Sequence, residues 1–429
     1  MKASAQNFLV LQGGGPTPVL NASLCAVIEE ARHWAPKARV IGAQSGMHGL
    51  CRGELLDLTG LSAARLTQLC NTPGAALGTT RYWPSADELD QALGQLDRHR
   101  IGRVIVIGGN GSMRGAAALS RAARDSGREL CVIGVPKTID NDIAGTDRCP
   151  GYGSAARYVA QSVRDLGVDV RSLPQPVSIF ETMGRNVGWL AAAAALAKRD
   201  EADAPHLIYL PETPFQIDRF IADIDRVVAR YGWAVAVISE GLRSPNGTPV
   251  YQTRDVAQAD DCGRVVPGNV AALLADEVAR RLKIRCRSEK PGLCGRASML
   301  HVSEQDRVDA DLVARAAVHA TLDGENAQMI ALRPLERPLE ASADEPDQCD
   351  RIALSRVAAA PERAIPTEWL NDSDLRVSDA FLAYARPIVG PLNEYLPRLA
   401  EIAPPAAPQP VQSASPAQSV QQVRSVALP

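Results

Sequence analysis

The sequence predicts an α/β protein built on doubly wound, mainly parallel sheets. Short, continuous apolar runs rich in β-branched residues recur along the chain, and segments with helical spacing alternate with them. Turns rich in glycine or proline follow most of these runs, as expected where a buried strand ends. Strands that alternate with helices, with loops at the strand ends, are typical of the doubly wound architecture.

Seven apolar runs are predicted as strands, and six segments between them as helices. The strands are expected at 8–11, 39–43, 104–107, 130–135, 177–181, 207–210 and 234–238. The helices are expected from residue 20 onward and at 113–123, 151–166, 187–197, 215–230 and 269–282. The strands read as unbroken apolar runs because parallel strands are usually buried on both faces.

The stretch around which this pattern is organised is Pro136-Lys137-Thr138-Ile139-Asp140-Asn141-Asp142, directly after the run 130–135. Loops just past the carboxyl end of a strand are where ligands bind in open α/β sheets. Two carboxylates there can divide the work, since one takes a proton from a hydroxyl while the other helps to hold a metal ion or a charged donor. The same composition also suits a plain loop, because Pro, Asn and Asp are common turn formers.

Glycine-rich loops follow two other predicted strands. Gly13-Gly14-Gly15 follows the run 8–11, and Gly108-Gly109-Asn110-Gly111-Ser112 follows the run 104–107, with Ser112 as the predicted N-cap of the next helix. A strand, a glycine turn and a helix together aim backbone N–H groups at an anion, although such turns also serve as simple connections. Neither loop matches a Walker-type P-loop or a dinucleotide fingerprint.

Composition narrows the range of partners. The net charge is −3 and aromatic residues make up 4% of the chain, so we expect no nucleic-acid partner and no anionic membrane surface as a partner. The nine cysteines are scattered and form no C-x-x-C pair. An unpatterned set of this kind is typical of a reducing cytoplasm, not of a disulfide framework or a zinc site.

Taken together, the loops resemble those of the phosphofructokinase family over about residues 8–335, and more weakly to about residue 398. The matching positions are Gly14-Gly15, Gly78-Thr79-Thr80-Arg81, Gly108-Gly109-Asn110-Gly111-Ser112, Pro136-Lys137-Thr138-Ile139-Asp140-Asn141-Asp142, Met183-Gly184-Arg185, Ser239-Glu240-Gly241, and Arg287 with Arg296. The segments 365–370 and 384–387 are similar to the C-terminal part of the longer members, a branch that mixes ATP- and pyrophosphate-dependent enzymes.

The resemblance implies two doubly wound domains with the active site in the cleft between them. Residues 1–145 with about 255–335 would bind the phosphoryl donor, and 146–254 would bind the sugar phosphate. Residues 336–402 would form a C-terminal extension, within which 337–366 is expected to be looped. Residues 403–429, rich in Pro, Ala, Ser and Gln, are expected to be a disordered tail. Because family sites are shared between subunits, a homodimer or homotetramer is also implied.

The resemblance also implies roles for individual residues. Asp140 would be the general base on the sugar 1-hydroxyl, with Thr138 and Asp142 beside it as catalytic residues. Arg185 and Arg81 would stabilise the phosphoryl group in flight, although a solvated surface arginine is an equally good interpretation of Arg81 alone. The implied donor-binding set is Gly15, Arg81, Gly109, Asn110, Gly111, Ser112 and Lys137. The implied substrate-binding set is Thr138, Asp140, Asp142, Met183, Gly184, Arg185, Glu240, Arg287 and Arg296.

Two positions bear on the identity of the donor. Gly111 stands where pyrophosphate-using relatives typically carry a second acidic residue that crowds out the nucleotide, so glycine favours ATP. Lys137 favours pyrophosphate, because pyrophosphate enzymes usually have a lysine there. We therefore expect a glycolytic 6-phosphofructokinase that uses ATP and Mg²⁺ to convert fructose 6-phosphate into fructose 1,6-bisphosphate, with pyrophosphate as the alternative donor.

Three positions depart from the family pattern. Asn110 replaces an aspartate associated with Mg²⁺, so metal held by Asn110 and Asp142 should bind more weakly. Pro176 stands where many members place a phosphate-gripping arginine from the neighbouring subunit, and Leu293 where many have a histidine on the sugar phosphate. A kinase for a related ketose phosphate, or a non-catalytic sugar-phosphate-binding protein, therefore remains an alternative.

Overall fold

The computed structural model describes residues 6–80, 82, 84–172, 176–251, 269–335, 348–395, 402–403 and 405. The strands of this part of the chain are, in order, β1 (Asn7–Gln12), β2 (Val40–Ala43), β3 (Leu55–Asp57), β4 (Ile101–Gly108), β5 (Cys131–Pro136), β6 (Val177–Thr182), β7 (Leu207–Tyr209), β8 (Ala234–Ser239), β9 (Cys286–Glu289), β10 (Gln328–Leu332) and β11 (Cys349–Ala353). All seven predicted strands are present, with ends within three residues of the predicted ones.

The helices alternate with the strands. They are α1 (Leu20–Trp34), α2 (Gly46–Arg52), α3 (Ala63–Cys70), α4 (Ala86–Arg98), α5 (Asn110–Asp125), α6 (Tyr152–Ser172), α7 (Trp189–Ala193), α8 (Ile217–Tyr231), α9 (Val270–Leu282), α10 (Leu293–Arg296), α11 (Glu304–Leu322), α12 (Leu354–Ala359) and α13 (Asp379–Val389). The predicted helix 187–197 is shorter, because α7 tightens into a 3₁₀ turn at Ala194–Ala197.

The first sheet has the strand order β11-β10-β5-β4-β1-β2-β3. Its five central strands are parallel, and β3 and β11 pair antiparallel at the two edges. The chain proceeds outward in opposite directions from β1 and from β4, so the strand order reverses between these two neighbours. A crevice opens at the carboxyl ends of the strands wherever such a reversal occurs, and ligands bind there.

Alternate residues of the central strands pack on opposite faces of this sheet. Phe8 and Val10 of β1 join the apolar layer under α1 and α11, whereas Leu9 and Leu11 join the layer on the other face. Each fully buried side chain of this kind stabilises the fold by about 1.5–3 kcal/mol. Burial on both faces explains why the sequence shows continuous apolar runs, and it confirms the predicted α/β class with mainly parallel sheets.

The second sheet has the order β7-β8-β6-β9, and all of its strands are parallel. Helix α9 packs on it, and the buried Glu181 carboxylate at the end of β6 accepts the backbone N–H groups of Asn269 and Ala271 at the start of α9. The expected boundary is therefore wrong for this part: α9 and β9 lie with the second sheet, not with the first. Strand pairing to β6 decides their place.

The C-terminal extension contains more regular structure than expected. Residues 336–347 lie outside the described part, but β11 and α12 follow directly and join the first sheet, so the expected loop is wrong at 349–359. Residues Met1–Leu392 form one compact unit, and Asn393–Pro429 form a second. The expected disordered tail lies almost wholly outside the described residues. No described helix has the length and apolar character that a bilayer crossing requires.

Candidate active site

A cleft of about 420 Å³ opens at the point where the strand order of the first sheet reverses. Loops that leave the carboxyl ends of β1, β4, β5, β6 and β8 line it, so residues that follow strands of both sheets meet there. The predicted site residues that line the cleft are Gly109, Asn110, Gly111, Ser112, Asp140, Asp142, Met183, Arg185, Glu240 and Arg296. Sequence positions more than 180 residues apart are thus brought to one surface.

The two central aspartates lie on a tight turn after β5. The Thr138 hydroxyl accepts a hydrogen bond from the backbone N–H of Asp140 (3.1 Å). Asn141, between the two aspartates, has the left-handed backbone angle φ = 55° and is fully buried. Its side chain points away from the cleft and accepts the N–H of Cys149 (2.9 Å). The turn therefore presents both carboxylates to the cleft and anchors the residue between them in the protein.

The carboxylates of this turn share a crowded, acidic environment. Burial, with the nearby Asp142, Glu240 and Glu362 carboxylates, raises the pKa of Asp140 to about 7, while Lys137 opposes the shift. Burial and Glu362 also raise the pKa of Asp142. The Oδ1 atoms of both aspartates are buried and have no hydrogen-bond partner among the described residues. A carboxylate with a pKa near neutrality is suited to act as a general base at neutral pH.

Lys137 lies behind the first glycine loop. It is fully buried, and its Nζ donates to the carbonyl oxygen of Gly15 (2.7 Å). Burial, and next the charge of Arg296, lower the pKa of Lys137 to about 8. The ammonium group therefore holds the Gly15 loop and supplies positive charge beneath it, although neither Lys137 nor Gly15 lines the open cleft.

The glycine loops after β1 and β4 pack directly against each other. A Cβ at Gly13 or at Gly108 would collide with the Ser112 side chain, so this approach requires glycine at both positions. The prediction that Ser112 is the N-cap of this helix is wrong. Helix α5 begins three residues earlier than predicted, and Gly109 is its N-cap. The first turn of α5 therefore lies in the cleft wall, where its free N–H groups and helix dipole favour an anion.

Gly111, in the wall of the cleft, borders open space. A Cβ at Gly111 would have no heavy atom within 4 Å, so this side of the first helical turn faces open space. Tyr82 stacks edge-on against His48, with the ring centroids 5.1 Å apart. The cleft is also lined by Met47, Tyr82, Pro84, Arg114 and Gly115.

The residues expected to hold Mg²⁺ fit that ion. Magnesium binds oxygen ligands, and one or two carboxylates together with substrate phosphates usually suffice. Asp142 offers its unpartnered Oδ1, and the Asn110 amide donates to Asp142 Oδ2 (2.9 Å) and so fixes the carboxylate. No group of three or more His, Cys, Asp or Glu side chains in the described part of the chain could hold a metal alone. Substrate phosphates would therefore have to complete the coordination.

The loops after β6 and β8 form the opposite wall. Gly184 has φ = 125°, and the Ser239 hydroxyl donates to its carbonyl oxygen. The backbone N–H of Glu240 donates to the carbonyl oxygen of Thr182 (3.0 Å). Burial, and next the charge of Glu181, raise the pKa of Glu240 to about 7. These hydrogen bonds connect the two loops, and Arg185 and Glu240 line the same cleft as the two aspartates.

The remaining predicted residues are distributed unevenly. Leu293, at the start of α10, lines the cleft and is 65% exposed. A guanidinium nitrogen of Arg296 lies 3.2 Å from the position of a Cβ at Gly15, so Arg296 reaches the first glycine loop as well as the cleft. Arg287 is exposed on β9 and is not among the described residues that line the cleft. Arg81 lies outside the described residues.

Sequence reasoning missed part of the site. Glu362, from the C-terminal extension, lines the cleft and accepts a hydrogen bond from the side chain of Asn186 (2.8 Å). Asn186 in turn accepts from Arg243 (3.2 Å). Asn186 directly follows Arg185, which belongs to a matched motif, so its position in the sequence was a usable signal. Glu362 is 220 residues from Asp142 in a stretch without periodicity, so no local signal marked it.

Comparison with known proteins agrees with this geometry. The phosphofructokinase family model matches residues 7–321. A pyrophosphate–fructose 6-phosphate 1-phosphotransferase of Xanthomonas campestris is 37% identical over 392 residues, which cover 89% of this chain and 91% of the relative. A sulfofructose kinase of Alkalicoccus urumqiensis is 32% identical, with 84% of this chain and 91% of the relative covered.

An enzyme with the other donor in its name is also similar. The ATP-dependent 6-phosphofructokinase of Amycolatopsis methanolica is 33% identical, with 74% of this chain and 69% of the relative covered. Among solved structures, a pyrophosphate-dependent phosphofructokinase from Marinobacter aquaeolei superposes with a TM-score of 0.78 at 31% identity, covering 92% of this chain and 95% of that one. The family model covers most of the chain and the similarity extends over nearly its whole length, so this protein belongs to the phosphofructokinase family.

Proposed function

We propose that this protein is an ATP-dependent 6-phosphofructokinase, which phosphorylates the 1-hydroxyl of D-fructose 6-phosphate to give fructose 1,6-bisphosphate in glycolysis. Fructose 6-phosphate as the acceptor is supported by the names of the Xanthomonas and Amycolatopsis relatives. The donor, the metal ion and the residue roles are supported by the geometry of the cleft.

The single observation that carries the choice of ATP is the open space at Gly111. Pyrophosphate would end at the first turn of α5, whereas ATP continues with an α-phosphate and a nucleoside. Gly111 faces open space, and Met47, Tyr82 and Arg114 line the same cleft, where they offer apolar, aromatic and cationic contacts to such a group. An acidic side chain at this position would close that path by volume and by charge.

The reaction requires positioning and charge neutralisation more than covalent chemistry. Asp140 takes the proton of the 1-hydroxyl as the new oxygen–phosphorus bond forms and the bond to the bridging oxygen of the donor breaks. Arg185, the first turn of α5 and the ammonium of Lys137 compensate the negative charge on the donor. Mg²⁺, held by Asp142 with Asn110 behind it, would supply further positive charge to the donor phosphates.

Pyrophosphate is the second candidate donor, because Lys137 supplies positive charge directly beneath the donor loop and the Xanthomonas relative bears the name of a pyrophosphate enzyme. A sulfonated ketose is a second candidate acceptor. Leu293 at the rim of the cleft offers no charge to a dianionic phosphate, and one relative is named a sulfofructose kinase. A sulfonate carries a single negative charge and needs fewer cations.

We also propose a homodimer or homotetramer and a cytoplasmic location. The exposed Arg287, which does not reach the cleft of its own chain, would be available to the cleft of a neighbouring subunit. The eight cysteines of the described part are free thiols, as a reducing compartment would keep them. Light scattering of the purified protein tests the oligomeric state.

The test is a coupled assay of the purified protein with Mg²⁺, in which ATP and pyrophosphate are each paired with fructose 6-phosphate and with sulfofructose. Turnover of fructose 6-phosphate with ATP is the expected result. Turnover with pyrophosphate alone would overturn the steric argument at Gly111, and a preference for sulfofructose would replace the acceptor. No turnover with any pair, combined with a ligand-induced rise in Tm, would make the protein a binding protein on a kinase fold.

A further inference from the structure

The C-terminal extension contacts the turn that carries the two aspartates. The backbone N–H of Arg363 donates to the carbonyl oxygen of Asp142 (2.8 Å). The guanidinium of Arg363 donates to the carbonyl oxygen of Asn141 (3.3 Å). One residue of the extension therefore holds two consecutive carbonyl groups of the turn.

Arg363 is itself held in place by aromatic side chains. Its guanidinium lies 4.3 Å above the ring centre of Trp189 and 5.8 Å from that of Tyr384. Trp189 is fully buried at the start of α7, and its indole N–H donates to the carbonyl oxygen of Arg363 (2.9 Å). The hydrogen bond holds the backbone of Arg363 at Trp189, and the ring contacts orient its planar guanidinium.

Asn141 is held from its side chain as well. Its amide donates to the Tyr384 hydroxyl (2.9 Å), which donates in turn to the carbonyl oxygen of Asp147 (2.9 Å). The left-handed backbone of Asn141, a non-glycine residue, is strained and persists only where surrounding contacts hold it. Arg363 and Tyr384 supply two of these contacts, and both come from the extension.

We propose that Arg363 and Tyr384 are positioning residues for phosphoryl transfer. They act through Asn141: by holding its backbone and its side chain, they keep the carboxylates of Asp140 and Asp142 in place in the cleft. The C-terminal extension is therefore part of the catalytic apparatus. This inference rests on the proposed function, because it assigns the support of the proposed general base.

The size of the effect follows from the sensitivity of such reactions to geometry. A displacement of about 1 Å at a reacting group can cost about 100-fold in rate. Arg363→Met keeps the bulk over Trp189 but loses the hydrogen bond to Asn141. Arg363→Lys keeps one donor and the charge but loses the planar stack. Arg351→Met removes an exposed arginine of the same extension that pairs with Asp323 and Glu325, and it serves as the control.

The experiment measures kcat and KM for fructose 6-phosphate, normalised to the folded fraction by circular dichroism and thermal melts. We expect Arg363→Met to lower kcat about 30-fold with KM changed less than about threefold, because substrate contacts are untouched. Arg363→Lys should recover kcat to within about fivefold of the wild-type value. The control Arg351→Met should have the wild-type kcat. A merely structural role would lower Tm and leave normalised kcat unchanged.

A second variant tests the shared turn. Tyr384→Phe keeps the ring and removes the hydroxyl that bridges Asn141 to Asp147. Because Tyr384 and Arg363 hold the same residue, the double variant should lose less kcat than the product of the two single losses. Multiplicative losses, or wild-type kcat in Arg363→Met, would overturn the positioning role alone. A wild-type enzyme silent with both donors would overturn the proposed function, and this role with it.

Discussion

Replacement of Gly111 by aspartate perturbs the proposed donor site at one defined point. No heavy atom lies within 4 Å of the position that a Cβ would occupy, so the new side chain enters the cleft without displacing the chain. Gly111 is in the first turn of α5, where an acidic side chain gains about 0.3–1 kcal/mol from the helix dipole. The variant should therefore fold at least as well as the wild type.

The expected loss of ATP turnover follows from Coulomb's law. An aspartate in the path of the α-phosphate would bring two like charges to about 4 Å of each other, which costs about 4 kcal/mol at an effective dielectric constant of about 20. A barrier raised by that amount lowers kcat/KM for ATP about 10³-fold. Pyrophosphate ends before this position, so its kcat/KM should change less than about tenfold.

The assay compares kcat/KM for the two donors in the wild type, in Gly111→Asp and in Gly111→Ala. Alanine is the matched control, because it adds the Cβ without the charge and should keep ATP turnover within about threefold of the wild type. Wild-type ATP turnover in both Gly111→Asp and Gly111→Ala would refute the reasoning, since the carboxylate would then not obstruct the nucleotide. An equal loss of ATP turnover in both variants would also refute it, and would assign the effect to the loss of glycine at this position.

Three further changes test the electrostatics and the packing. Glu362→Gln removes a carboxylate that raises the pKa of Asp140, so the acidic limb of kcat/KM against pH should move from near 7 to lower pH; an unmoved limb would contradict this. Asp140→Asn should lower kcat about 10²–10⁴-fold and yet raise Tm at pH 8. Because folding raises the pKa of Asp140 from 3.8 to about 7, its stability penalty is absent below pH 3.8, grows as the pH rises from 3.8 to about 7, and is complete at pH 8. A lower Tm at pH 8 would contradict the burial argument. Asp309→Asn leaves the buried guanidinium of Arg148 without its bidentate partner (2.7 Å to each oxygen) and should cost about 3–5 kcal/mol in urea unfolding. Asp350→Asn, at an exposed ion pair, should cost less than about 1 kcal/mol.

The seven strands that the sequence predicted are apolar runs whose residues are mostly buried, although β10, which is also apolar and buried, was missed. Strands β1, β4 and β5 are continuous apolar runs, and that pattern has few other interpretations. Strands β3 and β9 were missed because both are short and partly exposed, and β9 is also rich in polar residues. They are strands because β2 and β6 offer free edges, and a neighbour of that kind is not visible in a sequence window.

The same distinction applies to the candidate site. Asp140, Asp142 and the loop Gly109–Ser112 were predictable, since each directly follows a predicted strand and such loops carry ligands. The N-terminus of α5 was placed three residues late, because Ser112 is a common cap residue whereas Gly109 leaves little trace as one. The sequence also could not separate Arg296, which reaches the cleft, from Arg287, which does not.

The turn that carries Asp140 and Asp142 depends on contacts that lie outside the sequence motifs. The family match ends at residue 321, and every residue that lines the cleft from the five strand-end loops lies within it. The left-handed Asn141 is nevertheless held by Arg363 and Tyr384, more than 220 residues further along the chain. A chain with every motif intact but another C-terminal segment would present the same two carboxylates on a turn without these contacts. Because phosphoryl transfer depends on position, the later segment, not the motif alone, would then decide whether Asp140 can act as a base.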